Sequence, residues 1–514
     1  MHIKATKDSF YKYLHSLYTK AAVKNKHWKV NSMIKQPKAE MVETIATQVA
    51  EKLVNTKYED IPAEVVIETK RMILDSIGVG LSGMTHEKGK IALTVARRMM
   101  PGKEATVLGF GEKLSVMGAA FVNGDAMNAL DNAIVCPPGH LVEYVIPAIL
   151  AYAQAHHISG KEVIRATALG IELTHRIGNA CPYHRDVEDG KPARPSVHGF
   201  AASIFGCAVG IALLKGLDKE HMADTIGIAG WMCPVNGMEI WGQHVRSGLK
   251  YGSGGEFGVV GLLAAEYAEN DLEGDWKILD KDKWAWGNLV SYKRWEPEKI
   301  KPETIGQEWI YPGKQSYKLY PACRMLATPA DLTIQLVKQN HINPANIEEV
   351  FIQCEAGVSE GPQWSNKNPR TLWEGENSMF HCIALCCLGI EPGPRWTDAS
   401  VVYRPEVKEL RNKVKIEVHP DYVTSIVKDP GSRPTHVEIT LKDGTVYKAD
   451  GLYPRGNNVP TTSYMQKEEL LNKYFINCER LLQCNQIEKS ATAILEMEKY
   501  EDAGDVINLC GVLN

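Results

Sequence analysis

The stretch Asn123–His140, NGDAMNALDNAIVCPPGH, leads into the apolar run Glu143–Ala153, EYVIPAILAYA. Its first half is typical of a helix. The Pro-Pro-Gly sequence at 137–139 ends that helix, because proline cannot continue a helix and glycine permits a tight turn. The turn places His140 at the head of a segment that is apolar enough to be buried. The stretch therefore predicts a break in a helical core, with a histidine at the break.

The chain around this stretch is helical in pattern, from about Glu40 to Asp275. Apolar residues recur at three- and four-residue spacing in QVAEKLV, VVIETKRMILDSIGVGL and SGKEVIRATALGIELTHRIG. The last of these predicts a capping box, in which Ser159 caps the helix and Glu162 reaches back. AASIFGCAVGIALL and GVVGLLAAEYA are apolar on most faces, which predicts buried helices at the centre of a helical domain.

The pattern changes after Trp284. A helix, TPADLTIQLVKQ, is followed by the alternating segments IEEVFIQC, VKIEVHPDY and THVEITLKDGTVYKA. The last contains Asp443-Gly444, a pair typical of a β-hairpin turn. From Met465 the chain is helical again, in KEELLNKYF and ATAILEMEKY. These segments predict a separate α+β domain, after which the C-terminal segment rejoins the first helical part.

Length and composition exclude several classes of protein. A chain of 514 residues can hold two domains, and a net charge of −4 without a basic stripe argues against nucleic-acid binding. No apolar run is long enough to span a bilayer, so we expect no membrane partner. Twelve cysteines without CxxC or Cys/His spacing predict neither a metal site nor a disulfide framework. They indicate a reducing, cytoplasmic location; the Lys-rich N-terminus supports mitochondrial targeting as a weaker alternative.

Familiar catalytic motifs are missing from the sequence, including the P-loop, the nucleophile elbow and the metalloprotease motif. The glycines at 252–255 could form an anion-binding nest, but close helix packing is the favoured interpretation. What remains is a set of imidazole and cationic side chains at the ends of apolar helices: His140, His198, Lys250, Lys318 and Arg324. One such residue is usually a cap or a solvated group. Several together predict a pocket that binds carboxylates and transfers protons.

Six segments in the same order resemble the MmgE/PrpD family, which includes 2-methylcitrate dehydratase, cis-aconitate decarboxylase and a cofactor-independent iminodisuccinate epimerase. They are KRMILDSIGVGLSG, NGDAMNALD, GHLVEYVIPAILAYA, HGFAASIFGCAVGIALLKGLD, LKYGSGGEFGVVGLLAAEYAENDLEG and YKLYPACR. The resemblance covers roughly residues 45–510.

The resemblance implies a mostly α fold: a large all-helical domain built from N- and C-terminal segments plus an inserted α+β lid domain. We expect an N-terminal extension at 1–40, the helical domain at 41–312 and 456–514, and the lid at 313–455. The resemblance also implies a homodimer with its active site between domain and lid, and no metal or organic cofactor.

The family's motifs place functional residues one by one. Its acid and histidine positions, LDxDD and HPSxxVLPA, fall on Asp131 and His140. Its second histidine falls on His198 with the spacing off by one residue, and the lysine before a Gly-rich helix falls on Lys250. The lid motif KxYPxCR is matched by Lys318, Tyr320, Pro321, Cys323 and Arg324.

The chain departs from the family in the loop that carries His140. Asn128 replaces a histidine, and the acids that usually follow Asp131 are replaced by Asn132, Ala133 and Ile134. Leu141 and Val142 stand where proline and serine are usual.

The resulting prediction is a cofactor-free, dehydratase-type lyase acting on a small hydroxy-di- or tricarboxylate. His140 and His198 would act as general acid and base, with Asp131 orienting His140, and Lys250 is an alternative base. Substrate carboxylates would be bound by Lys318 and Arg324, with added positive charge from His244 and Arg246. Three alternatives stay open: a cis-aconitate-type decarboxylase, an epimerase or isomerase, which the missing acids favour, and a catalytically inactive dimeric scaffold.

Overall fold

Helices dominate the part of the chain that the computed structural model describes, which is residues 40–137, 139–181, 185, 187–188, 190–192, 199–235, 248–249, 252–290 and 294–511. The mostly α prediction is confirmed. The expected N-terminal extension lies almost entirely outside the described residues.

The described residues before position 270 form nine α-helices: α1 Ile45–Asn55, α2 Ala63–Met84, α3 Glu87–Met99, α4 Val116–Asn128, α5 Val142–Ala155, α6 Gly160–Asn179, α7 Ser203–Lys215, α8 Lys219–Trp231 and α9 Gly254–Glu269. Among the described residues after that point are α10 Trp286–Leu289, α11 Ala327–Gln339, α12 Ala356–Glu360, α13 Leu372–Asn377, α14 Met379–Cys387, α15 Ala399–Val402, α16 Pro405–Lys413, α17 Tyr422–Lys428, α18 Lys467–Cys478, α19 Cys484–Leu495 and α20 Ala503–Asn508.

Where the structure describes the first half of the chain, short strands form three two-stranded ladders: β1 Ala105–Thr106 with β2 Lys113–Leu114, β3 Val135–Cys136 with β4 Gly139–His140, and β5 Val187–Glu188 with β6 Lys191–Pro192. The second half holds a four-stranded sheet of β7 Ile347–Cys354, β8 Val414–Val418, β9 Thr435–Leu441 and β10 Val446–Gly451. Its order is β10-β9-β7-β8, and only the β7–β8 pair is parallel.

Small residues let the central helices approach closely, as their composition predicted. Helices α4 and α9 meet at Gly124 and Gly254, where a Cβ on Gly254 would lie 2.5 Å from the Gly124 carbonyl oxygen. A side chain at either position would therefore push the two backbones apart. This contact fixes the start of α9 beside the end of α4, which leads directly into the loop of Asp131.

The four-stranded sheet follows the predicted strands closely. IEEVFIQC is β7, and Asp443-Gly444 forms the turn between β9 and β10, with Gly444 at a φ of 88°. That positive φ explains the glycine, because other residues are strained there. The predicted strand VKIEVHPDY is too long, because β8 ends at Val418 and α17 begins at Tyr422.

The C-terminal helices contact the first helical part of the chain. The Lys473 amine on α18 donates to Asp75 on α2 at 2.6 Å, and the Ala503 amide donates to the Ile158 carbonyl at 2.8 Å. Residues 43–514 form one compact unit, so the division into a helical domain and a lid stays a prediction.

Two local predictions need correction. The helical run of the opening stretch ends at Asn128, well before the prolines, and the next ordered element is the β3–β4 hairpin. Ser159 does cap α6, accepting from the Glu162 amide, but the Glu162 carboxylate binds Arg165 at 2.7 Å rather than reaching back to the cap.

Candidate active site

The β3–β4 hairpin carries His140 to the head of α5. Val135 pairs with His140 and Cys136 with Gly139 across the hairpin. A Cβ on Gly139 would lie 1.9 Å from the Phe200 ring, so only glycine fits there. The loop before the hairpin turns at Asp131, whose φ of 50° is a left-handed conformation that aspartate adopts more readily than most residues. His140 ends β4 and lies just ahead of α5, at the head of the buried segment as predicted, and Pro138 lies outside the described residues.

His140 lies between two buried carboxylates. Its Nε2 is 3.4 Å from Asp131 Oδ1, and its Nδ1 is 2.9 Å from Glu143 Oε1. The Phe200 ring packs edge-on against the imidazole at 5.3 Å between centroids. Both carboxylates are almost fully buried, and the imidazole is only 6% exposed. Carboxylates beside both ring nitrogens fix the orientation of the ring and stabilise the charge that forms when it takes up a proton.

Lys318 completes this cluster from the second half of the chain. Its amine donates to the Asp131 carboxylate and, at 2.8 Å, to the Asp131 carbonyl oxygen. The three residues that the family motif placed in one site are therefore brought together. The lysine that the sequence predicted as a substrate binder already contacts an internal carboxylate, so a substrate carboxylate would have to share it.

A second buried lysine lies behind the cluster. The Lys88 amine donates to Asn128 Oδ1 at 2.6 Å and to the Gly252 carbonyl at 3.4 Å. The Asn128 amide in turn lies 3.5 Å from Glu143 Oε1. The Asn128 side chain, which replaces the family's histidine, thus links Lys88 to Glu143. Burial, with the nearby Glu143 carboxylate, raises the pKa of the neighbouring Tyr144 hydroxyl well above its ordinary value, so that hydroxyl stays neutral.

The loop is also held from the C-terminal side. Lys473 donates to the Asn132 carbonyl at 2.9 Å as well as to Asp75. Burial lowers the pKa of the Lys473 amine and raises that of the Asp75 carboxyl, while their mutual attraction opposes both shifts. The pair therefore fixes the position of the residue next to Asp131.

Arg324 is buried but lies apart from these contacts. Its guanidinium donates to Asn457 Oδ1 at 2.6 Å and to the Arg455 carbonyl at 3.2 Å. It lines a cavity of about 480 Å³ that His140, Asp131 and Lys318 do not line. The expectation that Arg324 binds a carboxylate stays a prediction.

The other predicted site residues, His198, Lys250, His244 and Arg246, lie outside the described residues. For the glycines at 252–255 the close-packing interpretation has support, since Gly254 contacts Gly124. The start of α9 already has an internal acceptor, because Asp125 Oδ1 receives hydrogen bonds from Ser253 Oγ at 2.8 Å and the Gly255 amide at 3.3 Å.

Glu143, Lys88 and Lys473 were missed from the sequence. A signal existed for Glu143, which stands three residues after His140 in an otherwise apolar helix, but an acid in a first helical turn is common for other reasons.

Within the described part of the chain, no group of three or more His, Cys, Asp or Glu residues could hold a metal ion. Nor is any described helix long and apolar enough to cross a membrane.

Comparison with known proteins gives a consistent result. The family model of the MmgE/PrpD N-terminal domain matches residues 47–298, and that of the C-terminal domain matches residues 320–499. A cis-aconitate decarboxylase from Homo sapiens is 24% identical, covering 91% of this chain and 95% of the relative. The Mus musculus enzyme of the same name is 25% identical over 91% and 94%, and one from Aspergillus terreus is 24% identical over 88% and 93%.

Proposed function

Because the chain belongs to the MmgE/PrpD family, we propose that it is a cofactor-independent lyase acting on a small hydroxy-di- or tricarboxylate. The observation that carries this proposal is the buried cluster of His140, Asp131, Glu143 and Lys318. It supplies a proton-transferring group and a cation in a site shielded from water. A carbanion beside a carboxylate needs both.

In the dehydration, His140 removes a proton from the carbon next to a carboxylate. The electron pair left on that carbon delocalises into the carboxylate, and positive charge from Lys318 stabilises the enolate-like intermediate. The pair then forms the carbon–carbon double bond as the neighbouring hydroxyl leaves with a proton, as water. Asp131 and Glu143 hold His140 in place. We assign the roles of second acid or base to His198 or Lys250, and further carboxylate binding to His244 and Arg246.

Decarboxylation of a cis-aconitate-like acid is the second candidate. The observation that favours it is that the relatives named above are cis-aconitate decarboxylases and match about nine tenths of the chain. Here the carbon–carbon bond to one carboxylate breaks, carbon dioxide leaves, and the electron pair remains as a delocalised carbanion. Protonated His140 then quenches that carbanion. The same cluster serves both reactions because both pass through an anion next to a carboxylate.

One experiment distinguishes these reactions. The purified protein is incubated with citrate, 2-methylcitrate and cis-aconitate in deuterated water and followed by NMR, ultraviolet absorbance and carbon dioxide release. Dehydration gives an absorbing alkene, and decarboxylation gives carbon dioxide. Deuterium uptake without net product would instead support an epimerase or isomerase. No turnover and no ligand effect on the melting temperature with any small carboxylate would support a scaffold protein and contradict the lyase proposal.

The family resemblance also supports a homodimer as the active form. The test is light scattering on the purified protein, with twice the mass of the 57.0 kDa chain as the expected result. A monomer that turns over substrate would contradict this part of the proposal.

A further inference from the structure

Lys88 occupies a position that is unfavourable for a cation. It is the second residue of α3, and the helix dipole disfavours positive charge in the first turn of a helix. The side chain is also only 6% exposed, so its ammonium group has lost most of its contact with water. Departures of this kind from the local rules concentrate at functional sites. The position of Lys88 therefore indicates a role other than stabilising α3.

The backbone around Lys88 holds the start of its side chain in a fixed place. A Cβ on Gly89 would lie 2.4 Å from the Gly83 carbonyl oxygen, so only glycine lets α3 begin this close to the end of α2. His86 caps the helix, because its Nδ1 accepts a hydrogen bond from the Lys88 amide at 3.3 Å. Lys88 thus projects from a rigid element, which is what a residue that positions an active site needs.

The Lys88 ammonium group determines which way the Asn128 amide points. An ammonium group can only donate, so the atom of Asn128 that lies 2.6 Å from it must be the accepting Oδ1. The amide nitrogen is then turned towards the active site, where it lies 3.5 Å from both Glu143 Oε1 and the Tyr144 hydroxyl. Asn128 therefore presents N–H donors, and not a carbonyl oxygen, to the Glu143 carboxylate.

The Glu143 carboxylate depends on these donors. It is fully buried, and its Oε2 has no hydrogen-bond partner among the described residues. Its Oε1 lies 2.9 Å from His140 Nδ1 and faces the Asn128 amide. Asp131 has Lys318 in direct contact, whereas within the described part of the chain Glu143 is joined to a lysine only through Asn128. A buried carboxylate is costly without positive charge nearby, so Lys88 supports Glu143 as Lys318 supports Asp131.

We propose that Lys88 and Asn128 are positioning residues for His140. Lys88 orients the Asn128 amide, the amide holds the Glu143 carboxylate against Nδ1 of His140, and the carboxylate keeps the imidazole in the orientation that proton transfer requires. The role rests on the proposed function, in which His140 transfers the proton, and neither residue has to touch the substrate. The amide that replaces the family's histidine at position 128 is part of this chain of contacts, since it offers an acceptor to Lys88 and donors to Glu143.

The first test needs no substrate. His140 is buried, so a hydrogen on Nδ1 that Glu143 holds is shielded from water and is expected to give a downfield imidazole signal in the proton NMR spectrum of the native protein. His140→Asn identifies that signal by removing it. We expect Lys88→Met to move the signal upfield or to broaden it beyond detection, because Glu143 is then held less firmly. Lys90→Met is the matched control, an exposed lysine two residues later on the same helix, and it should leave the signal unchanged.

Steady-state kinetics on the identified substrate give the second test. We expect kcat to fall roughly tenfold in Lys88→Met, about the effect of one lost hydrogen bond, with little change in KM because Lys88 does not contact the substrate. Lys88→Gln keeps a donor near Asn128 Oδ1, so it should lose less than Lys88→Met in both tests. Asn128→Asp gives a further measurement if Lys88→Met does not fold. It keeps the shape of the side chain but turns a carboxylate oxygen towards Glu143, and the expected fall in kcat is at least as large.

Three results would overturn the proposal. In the first, Lys88→Met lowers the melting temperature but changes neither the His140 signal nor kcat, which would make Lys88 a purely structural residue. In the second, Lys88→Gln loses as much as Lys88→Met, so that the hydrogen bond to Asn128 does not carry the effect. In the third, the native protein has no downfield signal that His140→Asn removes, so that Glu143 does not hold Nδ1. Failure of the protein to turn over any carboxylate would contradict the lyase instead, and the NMR signal would still test the role of Lys88.

Discussion

Two histidines at the β3–β4 hairpin, His140 and His175, have surroundings of opposite charge. His140 lies on the hairpin itself, with carboxylates 2.9 Å and 3.4 Å from its two ring nitrogens. His175 approaches the hairpin from α6, contacts the carbonyl of Pro137 and has Lys314 and Arg176 nearby. Burial, reinforced by these cations, lowers the pKa of His175 to about 4, so its ring is neutral at pH 7.

The different surroundings of His140 and His175 suit the two side chains to different roles. A histidine held between carboxylates can take up and release a proton without leaving a bare buried charge. A histidine beside cations keeps one fixed neutral form, and it can serve only as a hydrogen-bonding group. The hairpin therefore contacts one histidine whose surroundings suit proton transfer and another whose surroundings keep it neutral.

The largest expected effect concerns His140. Replacing it with asparagine removes the proton-transferring group, and we expect kcat on the identified substrate to fall by about 10²- to 10⁴-fold. His341→Asn is the control, because His341 is an exposed histidine at a φ of 50° that asparagine tolerates. Steady-state kinetics on both variants measure the effect. Turnover of His140→Asn at the native rate would exclude His140 from the mechanism. The contrast between His140 and His175 would then have no bearing on catalysis.

The next effect concerns the anchor of the loop that contains Asp131. Lys473→Met leaves Asp75 buried without its cation, and we expect the free energy of unfolding to fall by about 3–5 kcal/mol. Asp75→Leu combined with Lys473→Met removes both charges and should recover most of that loss. Urea unfolding measures all three proteins. If the double variant is no more stable than Lys473→Met, the ion pair is not what fixes this loop.

Much of the fold could be predicted because its signals are local. The alternation of IEEVFIQC predicts β7 residue for residue, and Asp443-Gly444 forms the predicted turn between β9 and β10 because the positive φ at Gly444 suits glycine. The end of β8 was misjudged because the alternation continues past Val418, where a turn leading to α17 replaces the ladder. Alternation alone does not show where pairing stops.

The site could be predicted only where a motif marks it. The family pattern gave Asp131, His140 and Lys318, which the structure brings together. Lys473 could not be found, since its carboxylate partner is 398 residues away in the chain. Glu143 was overlooked because an acid in the first turn of a helix has an ordinary explanation in the helix dipole.

Glu143 offers a sharper test of how the balanced site works. Glu143→Gln keeps the shape of the side chain but removes the charge beside His140 Nδ1, and we expect kcat to fall roughly 10- to 100-fold. KM should change little, because Glu143 acts on His140 and not on the substrate. Glu87→Gln is the matched control, another glutamate in the first turn of a helix, here α3.

Partial rescue by Glu143→Asp would support an electrostatic role for this residue. A fall in melting temperature with unchanged kcat in Glu143→Gln would instead show that Glu143 only stabilises the fold, and the contrast with His175 would then rest on Asp131 alone.

The smallest effect concerns the pH dependence that His175 confers on stability. Its folded pKa of about 4 lies below the unfolded value of about 6.5, so between these values the unfolded chain binds the extra proton. Stability from the neutral ring is therefore complete above pH 6.5 and is lost as the pH falls, by about 2 kcal/mol at pH 5. His175→Asn should unfold with a correspondingly smaller difference between pH 7 and pH 5, as urea titrations at the two pH values would measure. An identical pH difference in the native protein and the variant would mean that His175 titrates normally, and the two histidines would then not differ in the way that their surroundings indicate.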